Sequence, residues 1–385
     1  MSEVVIVSAG RTAIGKKGGT LSELEPAVYG GAVIQEALNR ARVEGEDVDD
    51  VIFGNCLSGG GNQARVSALE AGLPYTVPGL TIDRQCGSGI NSVTLAAERI
   101  ASGHGEIVVA GGTESMSLRP HLLNVHGREP TFFKPRLAPE EIGNPPMGIT
   151  AENLALKYRI SRAEQDEFAI RSQERMGEAQ KKGRFDSQII AIDDFSVDEH
   201  PRPDVTLAKL STLPPVFKKE GTVTAGNSSG VNDGASALVL MSGKEARRRG
   251  LKPMATVKNW AVAGVDPNIM GIGPVPAVQK VLKRSGETLV NIDLIECNEA
   301  FAAQTLAVDR ELEFDHAKLN VNGGAIAHGH PIAATEECLS RKWSMSWNEE
   351  KRVKADYGMH WRRSRYCFAR RKTIKIRSGY RWIYA

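Results

Sequence analysis

The sequence predicts a layered α/β fold with a mostly helical insertion. Three observations predict it. Short apolar runs alternate with segments of helical spacing over the first hundred or so residues, the pattern of strands packed under helices. From about Leu118 to Lys219 that pattern gives way to a Pro-rich, irregular stretch followed by two helical segments. A strand-and-helix pattern then resumes near Met254, so the second texture interrupts the first.

Taken in order, EVVIVSAGR reads as a strand closing on a turn. ELEPAVYGGAVIQEALNRA has helical spacing and sets Leu24, Val28, Val33, Ile34 and Leu38 near one face. VDDVIFGNCLSGGG reads as strand and Gly-rich loop, and NQARVSALEAGL as a helix. LTIDRQCGSGINSVTLAAERIASG reads as strand, tight turn and helix, with Gly103 as its C-terminal stop. GEIVVAGGTESMS is another buried strand and loop. In the insertion, ITAENLALKYRI and SRAEQDEFAIRSQERMGEAQKKGRF predict helices, the second opened by Ser161 with Glu164 three residues on, a capping-box spacing. TVTAGNSSGVNDGASALVLMS predicts loop, helix and strand, NIDLIECNEAFAAQTLAVDREL strand, loop and helix, and LNVNGGAIAHGHPI a strand entering a Gly-rich turn. The strand–turn–helix around Cys86 has a loose counterpart in this last region, which suggests two related halves.

Bulk properties narrow the function. The 385 residues suffice for two or three domains and a sizeable core. The net charge of +3 hides an asymmetry: from Glu336 onward there are fourteen Lys and Arg against five Asp and Glu. The preceding residues carry thirty-five against forty-one. Four of the five Trp also fall in that basic tail. A basic tail can contact nucleic acid or membrane, but this one lacks patterning, and no nucleic-acid or membrane partner is expected. Five scattered Cys form no metal-binding spacing, so no metal is expected and a reducing, cytoplasmic setting fits. SEVVIVSAGRTAIG lacks the basic and long apolar regions of a secretory signal, and no apolar run is long enough to span a bilayer.

Three short stretches carry chemistry. In RQCGSG, Cys86 ends an apolar strand just before a helix. Unpaired amides and the helix dipole there favour a thiolate, and the glycines would let a substrate carbonyl approach backbone N–H groups. A buried structural Cys in a tight turn fits the spacing equally well. In GHP, Gly329 and Pro331 present His330 on a turn, where a neutral imidazole could take a thiol proton; an ordinary surface His, and the neighbouring His328, compete for that reading. In NEAFA, Asn298 could cap the following helix or orient a water near a developing oxyanion. LSGGGN and GGTES lack the phosphate-loop and dinucleotide fingerprints and read as tight turns in the core.

Together and in this order, LTIDRQCGSG, AGGTESMS, TAGNSSGVNDGA, NEAFA and NVNGGAIAHGHPI resemble the thiolase family, and within it the acetyl-CoA acetyltransferases. The resemblance runs from about Ser2 to Ile332. It implies a thiolase-like fold of two αβαβα layered halves with an inserted, mostly helical loop domain. Residues 1–118 and 219–247 would form the N-terminal half, 119–218 the loop domain, and 248–332 an incomplete C-terminal half. It implies acyl-CoA chemistry on coenzyme A thioesters as substrates, no further cofactor, and a homodimer or homotetramer. By the family's motifs, Cys86 matches the acyl-accepting nucleophile, His330 its base, and Asn298 the holder of an oxyanion-hole water. Ser229 matches a serine near the pantetheine arm. Met147, in PPMGITAEN, falls where family members favouring the synthetic direction often have His. The expected reaction is acetyl-CoA C-acetyl transfer, two acetyl-CoA giving acetoacetyl-CoA and CoA. The alternatives are a 3-ketoacyl-CoA thiolase of fatty-acid degradation and an inactive relic of the family. A condensing enzyme acting on carrier-bound chains fits less well, because NEAFA and the helical insertion speak against it.

The relic is an alternative because the family's second catalytic Cys, in a Cys-x-Gly-Gly-Gly-x-Gly motif, is absent from the printed tail. Residues 333–385 depart from the family, with Cys338 and Cys367 in Glu-Glu-Cys-Leu and Arg-Tyr-Cys-Phe. Gly358-Met359-His360-Trp361 must be coded GGN-ATG-CAY-TGG. Shifted by one base, it contains a forced Cys codon, then Ile or Thr, then a forced Gly. The following codons permit Gly-Gly-Gln-Gly. The tail therefore reads as a frameshifted thiolase C-terminus, which accounts for its Arg and Trp without a nucleic-acid partner, since out-of-frame text has no reason to carry binary patterning.

Overall fold

The computed structural model describes residues 2–58, 60–127, 129–335, 359–361 and 382–384. The chain begins β1 (Val4–Thr12), β2 (Gly15–Lys16), α1 (Pro26–Ala41), β3 (Asp50–Gly54), α2 (Gln63–Glu70), β4 (Gly79–Ile82), α3 (Ser88–Ala101) and β5 (Ile107–Ser115). The insertion holds a hairpin of β6 (Leu122–Asn124) and β7 (Thr131–Phe133), then α4 (Met147–Lys157), α5 (Arg162–Lys181), β8 (Ile189–Ile190) and α6 (Leu207–Ser211). The remainder comprises β9 (Asn232–Ser242), α7 (Gly243–Arg248), β10 (Ala255–Trp260), α8 (Pro274–Ser285), β11 (Leu294–Glu296), α9 (Ala302–Leu312) and α10 (Ala325–His328), with β12 (Met359–Trp361) and β13 (Trp382–Tyr384) further on.

One mixed sheet dominates, in the order β12-β10-β1-β9-β5-β3-β4, with β2 on β9 and β8 on β1. β9 runs antiparallel to both β1 and β5, and β3 parallel to β4 and β5. One face buries Val33, Ile34 and Leu38 of α1 and Ala64 and Ala68 of α2; the other buries Ile90, Val93 and Ile100 of α3. A separate apolar core joins α4 and α5 to α8, β11 and α9. Fully burying each large aliphatic of this kind contributes about 1.5–3 kcal/mol.

The sequence reading needs four corrections. Val28 is 41% exposed, because Tyr29 and Gly30 take the buried face of α1. The helix expected before the strand of TVTAGNSSGVNDGASALVLMS is absent: Asn232–Ser242 is one strand with every residue buried. Its helix-favouring alanines lie between two partner strands, and a strand covered on both faces shows no alternation. GGTES is not a turn, since it lies inside β5. The strand expected in LNVNGG is replaced by a turn, with an isolated bridge from Leu319 to Ile295, followed by the short α10.

The capping box is present: Ser161 Oγ accepts from Glu164 N–H at 3.2 Å, and the Glu164 carboxylate accepts from Ser161 N–H at 2.6 Å. β10 continues the sheet of the first half through antiparallel pairing with β1. Of the tail, Ala333–Thr335 and the backbones of β12 and β13 fall within the description; Cys338, Cys367 and the shifted-frame motif, apart from its first codons at Met359–Trp361, lie outside the described residues. Among the described residues, no helix is long and apolar enough to cross a membrane, and no cluster of His, Cys, Asp and Glu could hold a metal ion.

Candidate active site

Cys86 sits between β4 and α3, immediately before Gly87 at the helix N-cap. The turn is tight. Gln85 has φ of 50°, a left-handed conformation that a side chain with a Cβ adopts at a cost. The Asp83 carboxylate supports it by accepting from Gln85 N–H at 2.8 Å. Ser88 Oγ closes the turn, accepting from Arg84 N–H and donating to Gln85 O, each at 2.7 Å. Gly87 N–H and Ser88 N–H donate to Arg84 O and Gln85 O at 3.1 and 2.9 Å. These two amides are therefore spent within the turn and are not among the backbone N–H groups open to a substrate carbonyl.

His330 reaches the same point from the far end of the chain. It follows α10 at Gly329, whose φ of 98° suits glycine. A side chain at Gly329 would also collide with Asn232, and it is Asn232 Oδ1 that accepts His330 N–H at 2.9 Å. Two glycines of the sheet make room beneath. Gly54 and Gly112 are paired across β3 and β5, and a Cβ at either would strike the backbone at Ala333. The segment carrying His330 thus lies directly on the sheet.

The result is a close pair: His330 Nε2 stands 3.1 Å from Cys86 Sγ. His330 is buried, 5% exposed, rather than a surface residue on a turn. Burial pushes its pKa down to about 4, so at neutral pH the imidazole is uncharged and able to accept a proton. His330 Nδ1 lies 2.6 Å from Thr335 Oγ1. Asn298 Nδ2 lies 3.5 Å from His330 Nε2, and Asn298 Oδ1 is buried with no protein partner among the described residues. Asn298 caps nothing: α9 begins at Ala302, with Phe301 at its N-cap.

Cys86 and Asn298 open onto one cavity of about 280 Å³, which Met147, Ile90, Met270 and Gln304 also line. Ser229 does not line it. Its N–H donates to Ala300 O at 3.0 Å, which places it against the backbone of the NEAFA segment. Of the other cysteines described, Cys56 contacts Gln85 O and Ser88 Oγ through its sulfur, and Cys297 is wholly buried. Burial raises the pKa of both thiols, which keeps them protonated and unreactive.

The chain matches the N-terminal domain model of the thiolases over residues 4–244 and the C-terminal domain model over residues 251–359. The chain belongs to the thiolase family. An acetyl-CoA acetyltransferase of Cupriavidus necator is 48% identical to this thiolase over 87% of the chain and 90% of its own length. One from Escherichia coli is 46% identical over the same shares. A β-ketothiolase of Cupriavidus necator is 44% identical over 93% of this chain and 95% of its own. Among solved structures, the Bacillus anthracis acetyl-CoA acetyltransferase superposes with a TM-score of 0.86 at 44% identity, covering 90% of this chain and 92% of that one. Human mitochondrial 3-ketoacyl-CoA thiolase in complex with CoA gives 0.83 at 40% identity, covering 90% and 91%.

The thiolase site also contains groups that the sequence reading passed over. Glu114 of β5 is fully buried, and burial raises its pKa. Its carboxylate accepts from Cys56 N–H and Leu57 N–H at 3.0 Å each and from Ser58 Oγ at 2.7 Å, and it also takes the Ala333 N–H. It thereby ties the loop after β3, which touches the Cys86 turn, to the segment after His330. AGGTESMS carried this carboxylate in plain sight, but only as part of a presumed turn. Asn232 and Thr335 gave no separate signal.

Proposed function

We propose that this thiolase carries out acetyl-CoA C-acetyl transfer, reversibly joining two acetyl-CoA into acetoacetyl-CoA and CoA, with Cys86 as acyl carrier. The observation that carries the reading is the 3.1 Å contact between Cys86 Sγ and the buried, neutral His330 Nε2, with Cys86 lining the adjoining cavity. Nε2 takes the thiol proton as the sulfur attacks the thioester carbonyl. The tetrahedral intermediate expels the CoA thiolate, which leaves as CoA–SH with the proton held by His330, so Cys86 becomes an acetyl thioester and the imidazole returns to neutral. A thiol is the fitting carrier because one thioester replaces another at little cost in free energy.

Asn298 Oδ1, buried and without a donor among the described residues, suits a bound water that would donate to the developing oxyanion. Met147 would border the acyl group or pantetheine in the cavity, while Ser229 would meet the pantetheine arm from the NEAFA side, where its N–H holds Ala300 O. Condensation needs a second base to remove the α-proton of the incoming acetyl-CoA. In the family resemblance that base is the Cys of the C-terminal motif, which the printed tail does not spell. A cytoplasmic homodimer or homotetramer without nucleic-acid, membrane or metal partners completes the reading.

The test is incubation of the purified chain with acetyl-CoA, followed by peptide mass analysis. One acetyl adduct on the peptide carrying Cys86, lost in Cys86→Ala, is the expected result; no adduct on Cys86 overturns the reading. Thiolysis of acetoacetyl-CoA against longer 3-ketoacyl-CoA substrates then discriminates the acetyltransferase from the 3-ketoacyl-CoA thiolase, which the β-ketothiolase and human relatives favour. Acetylation without thiolysis of either marks the relic.

A further inference from the structure

We infer that Thr335 is the positioning residue that sets the tautomer of His330, holding the proton on Nδ1 so that Nε2 is bare toward Cys86. The inference rests on the reading of His330 as the base for Cys86 and adds the group that makes it one. Thr335 is fully buried. Its Oγ1 lies 2.8 Å from the Pro331 carbonyl oxygen and 2.6 Å from His330 Nδ1. A carbonyl only accepts, so the single hydroxyl hydrogen goes to Pro331 O, whose second lone pair receives Ala334 N–H at 2.8 Å. Oγ1 then turns a lone pair to Nδ1, and Nδ1 must donate.

A neutral imidazole has one N–H, so Nε2 is left as the acceptor. The surroundings of Nε2 agree. Cys86 S–H at 3.1 Å and Asn298 Nδ2 at 3.5 Å are both donors. The opposite tautomer would set a third donor at this buried spot, facing Cys86 Sγ and Asn298 Nδ2. The chain Nδ1–H to Oγ1–H to the Pro331 carbonyl also fixes the ring plane, because Pro331 and Thr335 belong to the same turn. A hydrogen bond at one ring nitrogen deciding the chemistry of the other is general for histidine. Thr335 contacts no substrate in this account; it acts only through His330.

The test uses the full chain with ¹⁵N-labelled histidine rings. Multiple-bond ¹H–¹⁵N spectra at neutral pH, with His330 assigned by its loss in His330→Gln, should show a protonated Nδ1 and a bare Nε2. A protonated Nε2 in the parent protein overturns the inference without recourse to any Thr335 variant. Thr335→Val should lose the Nδ1–H signature and slow Cys86 alkylation by iodoacetamide and its acetylation by acetyl-CoA about 10- to 100-fold, with the half-saturating acetyl-CoA concentration unchanged. Thr335→Ser should restore both the spectrum and the rate, since it keeps the hydroxyl and loses only the methyl. Parental rates in Thr335→Val, or a Thr335→Ser as slow as Thr335→Val, overturn the inference. If the tautomer and the alkylation rates behave as stated but acetyl-CoA never labels Cys86, the inference stands and the functional reading fails.

Discussion

Residue by residue, the Cys86–His330 pair depends on groups that are themselves chemically inert. Gly112 is the clearest. Its backbone lies under Ala333, and a Cβ there would run into the Ala333 carbonyl oxygen. Gly112→Ala therefore forces apart β5 and the segment that carries His330. Overpacking of this kind costs about 1–3 kcal/mol, and here the displaced segment also bears the imidazole. Urea melts should show that loss, and iodoacetamide should alkylate Cys86 more slowly than in the parent. Gly250→Ala, open on its Cβ side but at a φ of 65°, tests backbone strain alone: it should lower stability and leave the alkylation rate unchanged. Equal slowing in both variants would show that Gly112 matters for stability rather than for the site.

Among the elements, legibility in the sequence followed whether the deciding signal was local. The start of α5 was legible because Ser161 and Glu164 are three residues apart and their reciprocal bonds need nothing else. Cys86 was legible because a strand, two glycines and a helix lie within one short stretch. His330 stood out between Gly329 and Pro331, but its burial did not, since Asn232, which anchors it, is 98 residues away. β9 was misread because a strand buried on both faces by distant partners has no period to read. Asn298 was open between a cap and a site, and the start of α9 at Ala302 removes the cap. Residue patterning alone left both readings of Asn298 standing, and its assignment to the site came from the family resemblance. The same contrast yields a prediction. Ser161→Ala removes one side of the capping box and should cost about 1 kcal/mol. The loss is confined to the start of α5, so acetylation of Cys86 should proceed at the parental rate. A marked fall in that rate would mean that α5 controls the site through its bonds to Glu299 and Gly324.

For the whole molecule, the buried His330 links stability to pH. Its folded pKa of about 4 lies below the ordinary 6.5, so between those values the unfolded chain binds a proton that the folded chain refuses. Stability from this group is complete above pH 6.5 and is lost as pH falls toward 4. The difference corresponds to roughly 3 kcal/mol. His200 is shifted in the same direction, chiefly by burial, whereas the raised carboxyl of Glu114 acts oppositely, so the measurement must be a difference. The stability of the parent relative to His330→Gln should fall by roughly 3 kcal/mol from pH 6.5 to 4. A flat difference would show that His330 is charged or solvated in the folded protein.

The charge distribution of the chain poses a separate question at the same scale. Up to Thr335 acidic residues outnumber basic ones, and beyond it the balance reverses by fourteen to five. A catalytic thiolase needs a base for the second substrate, and the printed tail offers Cys338 and Cys367 without the glycines that would place either. Read one base along from Met359, the same nucleotides are forced to spell Cys, one residue, then Gly. Two stretches need different offsets, since Glu336 to Glu349 permits an amphipathic helix only two bases along, so a single insertion or deletion does not suffice. Resequencing the 3′ end of the gene from fresh genomic DNA, starting at the codon for Gly329, should restore Cys-x-Gly-Gly-Gly-x-Gly in one frame with His330. The restored chain should then both acetylate Cys86 and turn over acetoacetyl-CoA, whereas the printed chain should stop at the acetyl thioester. If the bases stand as printed, the frame hypothesis fails, and thiolysis by the printed chain would further require a base that is not the family's second Cys.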